Sequence, residues 1–185
     1  MKPFILASQS PRRKQLLEQV QLSFSIEQSR MEEIINQDDS PQEAVASLAH
    51  QKARDVFLRN RHHVVIGADT IVVIDGEILG KPADEKEAKA MLNKLSGRTH
   101  HVYTGVSIVS EDKTITFTET AEVHFYELST EEIDAYVRSG DPFDKAGGYG
   151  IQGIGATLVE KIHGDYFTIV GLPIAKVVRA LKDFQ

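Results

Sequence analysis

Phe4-Ile5-Leu6-Ala7-Ser8-Gln9-Ser10-Pro11-Arg12-Arg13-Lys14-Gln15-Leu16-Leu17 decides the reading of the fold. The short apolar run Phe4–Ala7 predicts a buried strand, and the segment after Pro11 predicts a helix. Ser10 suits the N-cap and Pro11 the first helical position. Arg12 and Arg13 then lie in the first turn, at the positive end of the helix dipole, where like charge is locally unfavourable. That placement makes sense if an anion docks on the turn. Free N–H groups, serine hydroxyls and two guanidinium forks would form a phosphate cradle. The hexapeptide Ser8–Arg13 by itself fits an ordinary capped surface helix equally well.

Outward from this unit, Leu22–Ile26 alternates like a strand. A polar stretch with Glu32-Glu33 and Asp38-Asp39 follows. Ser40-Pro41-Gln42-Glu43 is a capping box that opens a long helix with Lys52 near its middle. Val64–Ile74 is the most apolar run, and its β-branched content predicts a central strand buried on both faces. Asp75-Gly76 predicts a tight hairpin turn. Asp84 caps a further helix. His100–Ser110 and Thr114–Tyr126 alternate around Glu111-Asp112-Lys113 as a long hairpin. Ser129-Thr130-Glu131-Glu132 is another capping box. Ala156–Ile162 and Phe167–Val170 read as a second hairpin about His163-Gly164-Asp165, and a last helix starts near Pro173. Helices and strands alternate early and hairpins dominate late, which predicts a mixed α/β sheet in one domain spanning 1–185.

Composition bounds the function. The chain has 185 residues, 41% hydrophobic and 26% charged, enough for a real core. It has no cysteine, which rules out a thiol nucleophile or a cysteine metal site. The net charge of −6 argues against a broad basic nucleic-acid face, so an anionic ligand needs locally concentrated cations. The start does not read as a signal peptide, and no stretch has the length of a membrane span. These features predict a cytoplasmic protein with no nucleic-acid or membrane partner.

Asp69 is the sharpest chemical signal. A carboxylate midway along an apolar strand is costly to bury unless it is paired or metal-bound. Such a group holds a divalent metal or takes a proton from water, unless it merely caps a local turn. Glu33 alone reads as a solvated acid. Lys52 and Lys81 alone read as surface lysines, Lys81 being the better candidate because Gly80 and Pro82 hold it in a loop near the Asp69 strand. Gly148-Tyr149-Gly150-Ile151-Gln152-Gly153 fits G-x-G-x-x-G, but the dinucleotide fingerprint needs a strand before it and a helix after it. Here an irregular segment precedes and a strand is expected to follow. The pairs His62-His63 and His100-His101 would point to opposite faces of a strand and read as solvated histidines.

Together, Ser8–Arg13, Gly67-Ala68-Asp69-Thr70, Gly80-Lys81-Pro82, Leu95-Ser96-Gly97-Arg98, Asp144–Gly153 and Gly171-Leu172-Pro173 resemble the Maf family of nucleoside triphosphate pyrophosphatases, end to end and in family order. The resemblance implies a curved mixed sheet flanked by helices, like that of inosine triphosphate pyrophosphatases, with a substrate cleft. It implies a divalent cation, Mg2+ or Mn2+, and a homodimer. It places Asp69 on the catalytic acid/base and Glu33 on a catalytic or metal-binding carboxylate, the two together holding the metal. Ser8, Arg13, Lys52 and Lys81 match phosphate-contacting positions, with Lys81 counted among the catalytic groups. Arg12, Thr70 and Gln152 match positions tied to substrate choice. Gly-Ala-Asp-Thr and Tyr-Gly-Ile-Gln-Gly resemble the group acting on dTTP and UTP, which releases the monophosphate and pyrophosphate in nucleotide pool sanitation or control. Thr70 and Gln152 disfavour the sister group acting on 7-methyl-GTP. A nucleotide-sensing regulator of cell division is the alternative from another class, and intact Asp69, Glu33 and Lys81 favour an enzyme. Gly148 stands where relatives often have alanine, a change expected to matter little.

Overall fold

The computed structural model describes residues 2–36 and 38–184. The strands are β1 (Phe4–Leu6), β2 (Phe24–Ile26), β3 (Val64–Ile74), β4 (Glu77–Leu79), β5 (Thr99–Val109), β6 (Thr114–Phe125) and β7 (Val159–His163). The helices are α1 (Pro11–Gln19), α2 (Pro41–Arg59), α3 (Glu85–Leu95), α4 (Thr130–Arg138), α5 (Tyr166–Val170) and α6 (Ile174–Leu181). The strands form one mixed sheet in the order β2-β1-β3-β5-β6-β7, with β4 on β3. β1 pairs in parallel with both β2 and β3, while β4 and β7 pair antiparallel with β3 and β6. The expected mixed α/β class is what the chain adopts.

The chain divides into two compact units. The first holds residues 2–69, 104–119 and 171–184, the second 70–103 and 120–170. In the first, α1 starts where the sequence places it: Pro11 is the first helical residue and the Ser10 hydroxyl accepts from the Arg13 N–H. The capping box at Ser40 opens α2 as expected, with the Glu43 carboxylate accepting from Ser40 N–H at 2.9 Å. α2 buries Val45, Leu48, Ala49, Ala53 and Val56 against the sheet.

Two glycines make that approach close. A Cβ on Gly67 of β3 would lie 2.4 Å from the Ala49 carbonyl oxygen and 2.7 Å from the Ala53 nitrogen. A Cβ on Gly105 of β5 would lie 2.3 Å from the Val45 carbonyl oxygen. Helix backbone therefore rests directly on strand backbone. Ile5, Ala7, Ala53, Val56, Val65 and Val109 fill the core around this contact.

In the second unit, α3 and α4 cover Val72, Val102, Val123 and Phe125. The Asp84 carboxylate caps α3 by accepting from Glu87 N–H at 2.8 Å, and Ser129 caps α4. The second expected hairpin is not formed. Residues 153–158 are 3-10 turns, β7 pairs with β6, and Tyr166–Val170 is a helix. The Asp165 carboxylate accepts from the Thr168 N–H at 2.9 Å and its hydroxyl at 3.0 Å, so it caps a helix rather than closing a turn.

His100 also departs from expectation. It is fully buried, with Nε2 2.6 Å from the Tyr149 hydroxyl and edge-on contacts to Phe125 and Tyr149. His62 and His63 lie in a turn, not a strand. Burial pushes the His100 imidazole down to about 3, helped by nearby His101 and His124. Its contribution to stability is therefore complete above the ordinary histidine range near 6.5 and is lost as pH falls below it. There the unfolded chain takes a proton that the folded one refuses, with a slope of at most about 1.4 kcal/mol per pH unit. Urea midpoints measured at pH 7.5 and 5.0 should show the loss, and His100→Gln should reduce it. An unchanged loss in the variant would remove His100 as its source.

Candidate functional site

The first unit holds six of the sequence-derived residues, Ser8, Arg12, Arg13, Glu33, Lys52 and Asp69. Asp69 sits on β3 two residues beyond Gly67, on the same face of the strand, where α2 lies. Lys52 lies between Ala49 and Ala53, the two residues of the close helix contact, which brings its side chain to that strand. Lys52 Nζ lies 2.5 Å from Asp69 Oδ1 and 2.9 Å from Glu33 Oε1. The Lys52 and Asp69 side chains are only 17% and 14% exposed, whereas Glu33 is 49% exposed. One ammonium thus gathers two carboxylates, and the half-buried Asp69 charge is compensated as its burial demands. The surface reading of Lys52 from pattern alone is corrected here.

The turn between β1 and α1 supplies the cationic side. Ser8 is buried, and its hydroxyl oxygen accepts from Arg13 Nη1 at 3.1 Å and from Ser10 N–H at 3.2 Å. Arg13 Nε donates to the Gly171 carbonyl at 2.8 Å, which gives the Gly171-Leu172-Pro173 segment a structural role. Burial lowers the Arg13 guanidinium from its ordinary value. Asp69 and Glu33 oppose that shift and Arg12 adds to it. Arg13 thus lies within electrostatic reach of both carboxylates and of Arg12. Arg12 is half-buried in the first turn of α1. A helix N-terminus, a serine oxygen and two guanidinium groups near a carboxylate pair can bind an oxyanion and orient a nucleophile on it.

Thr70, Lys81 and Gln152 belong to the second unit. Thr70 follows Asp69 on β3 and is half-buried. Lys81 is exposed in the loop after β4. The Gly80 carbonyl accepts from Gly147 N–H at 3.0 Å, so the Lys81 loop and the glycine-rich segment meet. Gly147 packs on Val72, where a Cβ would come within 3.0 Å of that side chain. Gln152 is half-buried and precedes the 3-10 turns of 153–158. Gly148 has φ +71°, so an alanine there carries a backbone cost that the sequence reading does not anticipate.

Sequence reasoning misses three supporting residues. Tyr136 donates to Asp141 Oδ2 at 2.5 Å and accepts from Gly150 N–H at 3.1 Å, two residues before Gln152. Lys145, 12% exposed, donates to the Asp141 carbonyl and carboxylate and to Asp144. It is a staple of the loop. Gln51 on α2 holds the segment that carries Glu33. The capped start of α4 makes Tyr136 a buried helical residue, but no local pattern announces its loop contact.

Comparison with known proteins places the whole chain in one family. The Maf-like protein family model matches residues 3–184. A dTTP/UTP pyrophosphatase of Bacillus cereus strain G9842 is 58% identical over 185 residues, covering 100% of this chain and 97% of that protein. A second, from strain ATCC 10987, is 57% identical and covers 100% of this chain and 91% of its own. Among solved structures, the Ham1 protein of Staphylococcus aureus aligns with TM-score 0.47 and 17% identity, covering 85% of this chain and 80% of its own. With the motif-bearing turn, the Asp69 strand and the glycine-rich loop all inside a match that spans nearly every residue, the chain belongs to the Maf family.

Proposed function

We propose that this chain is a dTTP/UTP pyrophosphatase, cleaving between the α- and β-phosphates to give the nucleoside monophosphate and pyrophosphate. The observation that carries the reading is the pair Asp69 and Glu33 joined on Lys52, beside the Ser8–Arg13 turn. It is supported by relatives of that name at 57–58% identity over this whole chain.

In this reading Asp69 orients a water and accepts its proton as the water oxygen bonds to the α-phosphorus. The bridging P–O bond breaks and pyrophosphate leaves. Arg12, Arg13, Lys52 and Lys81 offset the negative charge of the triphosphate and of the leaving group. Ser8 holds Arg13 in place through the contact already described and offers its hydroxyl to a phosphate oxygen.

A divalent cation suits the donor set. Among the described residues no group of three or more His, Asp or Glu side chains could hold a metal alone. Mg2+ ordinarily takes one or two carboxylates and completes its shell with water and substrate phosphate oxygens. Glu33 and Asp69 would hold it, and it would supply Lewis-acid stabilisation of the phosphoryl oxygens. A homodimer and a cytoplasmic location belong to the same proposal and rest on the family resemblance. No helix among the described residues is long and apolar enough to cross a membrane.

Gln152 is assigned to the base. Uracil and thymine offer an N3–H donor and an O4 acceptor, which one amide can answer together. Pyrophosphate release from a panel of dTTP, UTP, CTP, ATP and GTP should show dTTP and UTP well ahead. Gln152→Leu should erode that preference by about 1–3 kcal/mol, the scale for a bidentate base contact, and leave metal dependence unchanged. A variant that keeps the wild-type preference would take base reading away from Gln152. Nucleotide binding without pyrophosphate release would favour a sensor over an enzyme.

A further inference from the structure

Glu33 sits on a segment with little to hold it. Residues 27–36 form neither helix nor strand, and Ile34 and Ile35 are 68% and 53% exposed. Neither isoleucine therefore anchors the backbone beside the carboxylate. A polar stripe on α2 does so instead. Ser47, Gln51, Asp55 and Arg59 recur every four residues and share one face of the helix. Arg59 donates to Glu27 and to the Gln28 carbonyl, and Asp55 accepts from the Ser29 hydroxyl and Arg30 N–H. At the other end Gln51 Oε1 accepts from Ile34 N–H at 3.1 Å, and Gln51 Nε2 donates to the Ile34 carbonyl at 2.7 Å. Nε2 also donates to Ser47 Oγ at 3.0 Å, so both amide hydrogens are used and the amide has one orientation.

We propose that Gln51 is a positioning residue for Glu33: by gripping both polar groups of the Ile34 backbone it sets where the preceding side chain points, toward Lys52 and Asp69. A primary amide that pairs with the N–H and C=O of one residue holds the peptide groups on both sides of its Cα, which a single contact would not. The neighbouring Lys52 then reaches Glu33 at 2.9 Å from the same helical turn. The inference rests on the reading of Glu33 as a catalytic-site carboxylate.

The test is a double-mutant cycle of Gln51→Leu and Glu33→Gln, read as kcat and KM for dTTP with saturating Mg2+. Leucine keeps the helix propensity of this half-exposed position, so circular dichroism and melting should match the wild type. Gln51→Leu should lower kcat about tenfold, the scale of a displaced catalytic group, with KM changed much less. In the Glu33→Gln background the same substitution should change kcat less than twofold, because the group it positions is already lost. Arg59→Ala, which releases the far end of the segment, should leave kcat nearly unchanged. Wild-type kcat in Gln51→Leu, or equal losses in both backgrounds, would overturn the positioning role while leaving an impaired Glu33→Gln to stand. Wild-type turnover in Glu33→Gln would overturn the reading of Glu33 and this inference with it.

Discussion

Asp69→Asn should retain the fold and lose turnover by about two orders of magnitude or more, the range for removing a positioned acid/base. The substitution is nearly isosteric. It exchanges an oxygen that accepts from Lys52 at 2.5 Å for an amide that can no longer take a proton from water. Its structural consequence should be small, because an amide oxygen can still accept from the Lys52 ammonium. Its chemical consequence should be large, because no other carboxylate on Lys52 is equally fixed: Glu33 is half-exposed on an irregular segment. Single-turnover pyrophosphate release beside nucleotide binding separates the two effects. Turnover near wild type would remove Asp69 from the chemical step.

Gly67→Ala should damage both stability and turnover. The added methyl would meet the Ala49 carbonyl oxygen at 2.4 Å, the Ala53 nitrogen at 2.7 Å and the Ala53 Cβ at 2.9 Å. Two of these are main-chain atoms in the middle of a helix and cannot swing aside as a flexible side chain does. α2 must therefore move away from β3 or the strand must bend. Overpacking of this kind costs about 3 kcal/mol, and for a chain of this length that lowers the melting temperature by roughly 10 °C. The displacement also carries Lys52 away from Asp69, so turnover of the folded fraction should fall tenfold or more. Gly105→Ala, facing Val45 on the same helix, should destabilise in the same direction. A Gly67→Ala protein with the parent's melt and rate would show that this contact does not set the site.

Much of the frame was legible because it is written locally. Ser10-Pro11, the Ser40 and Ser129 capping boxes and Asp84 mark helix starts through contacts three residues long, and each helix begins where its cap predicts. β3 was legible because eleven residues of β-branched and small side chains leave few alternatives. Asp69 stood out because it interrupts that run. Lys52 and Glu33 did not stand out, because their meaning lies in a meeting of a helix, a strand and an irregular segment. Lys52 borders the apolar face of α2 rather than interrupting it. In sequence Gly67 is only part of a motif, and its backbone contact with α2 appears only in three dimensions. α5 does not show in the sequence because five residues are too few to show a helical period, and Thr168, Ile169 and Val170 imitate a strand. The Asp165 cap was the signal available. His100 looked solvated because its burial depends on Phe125 and Tyr149, distant in sequence.

The stripe on α2 gives the two carboxylates different kinetic lives. Asp69 belongs to a strand whose residues 64–68 are all buried, a region that opens only when the fold itself opens. Glu33 rides on a segment whose tether to Asp55, Gln51 and Arg59 is made of side chains at the water boundary. Such a tether can detach and rejoin in a sub-global fluctuation many times within the lifetime of the native state. The position of Asp69 is therefore tied to the global stability of the fold, and that of Glu33 to the local stability of its own segment, so a mild perturbation can unsettle one carboxylate and leave the other in place.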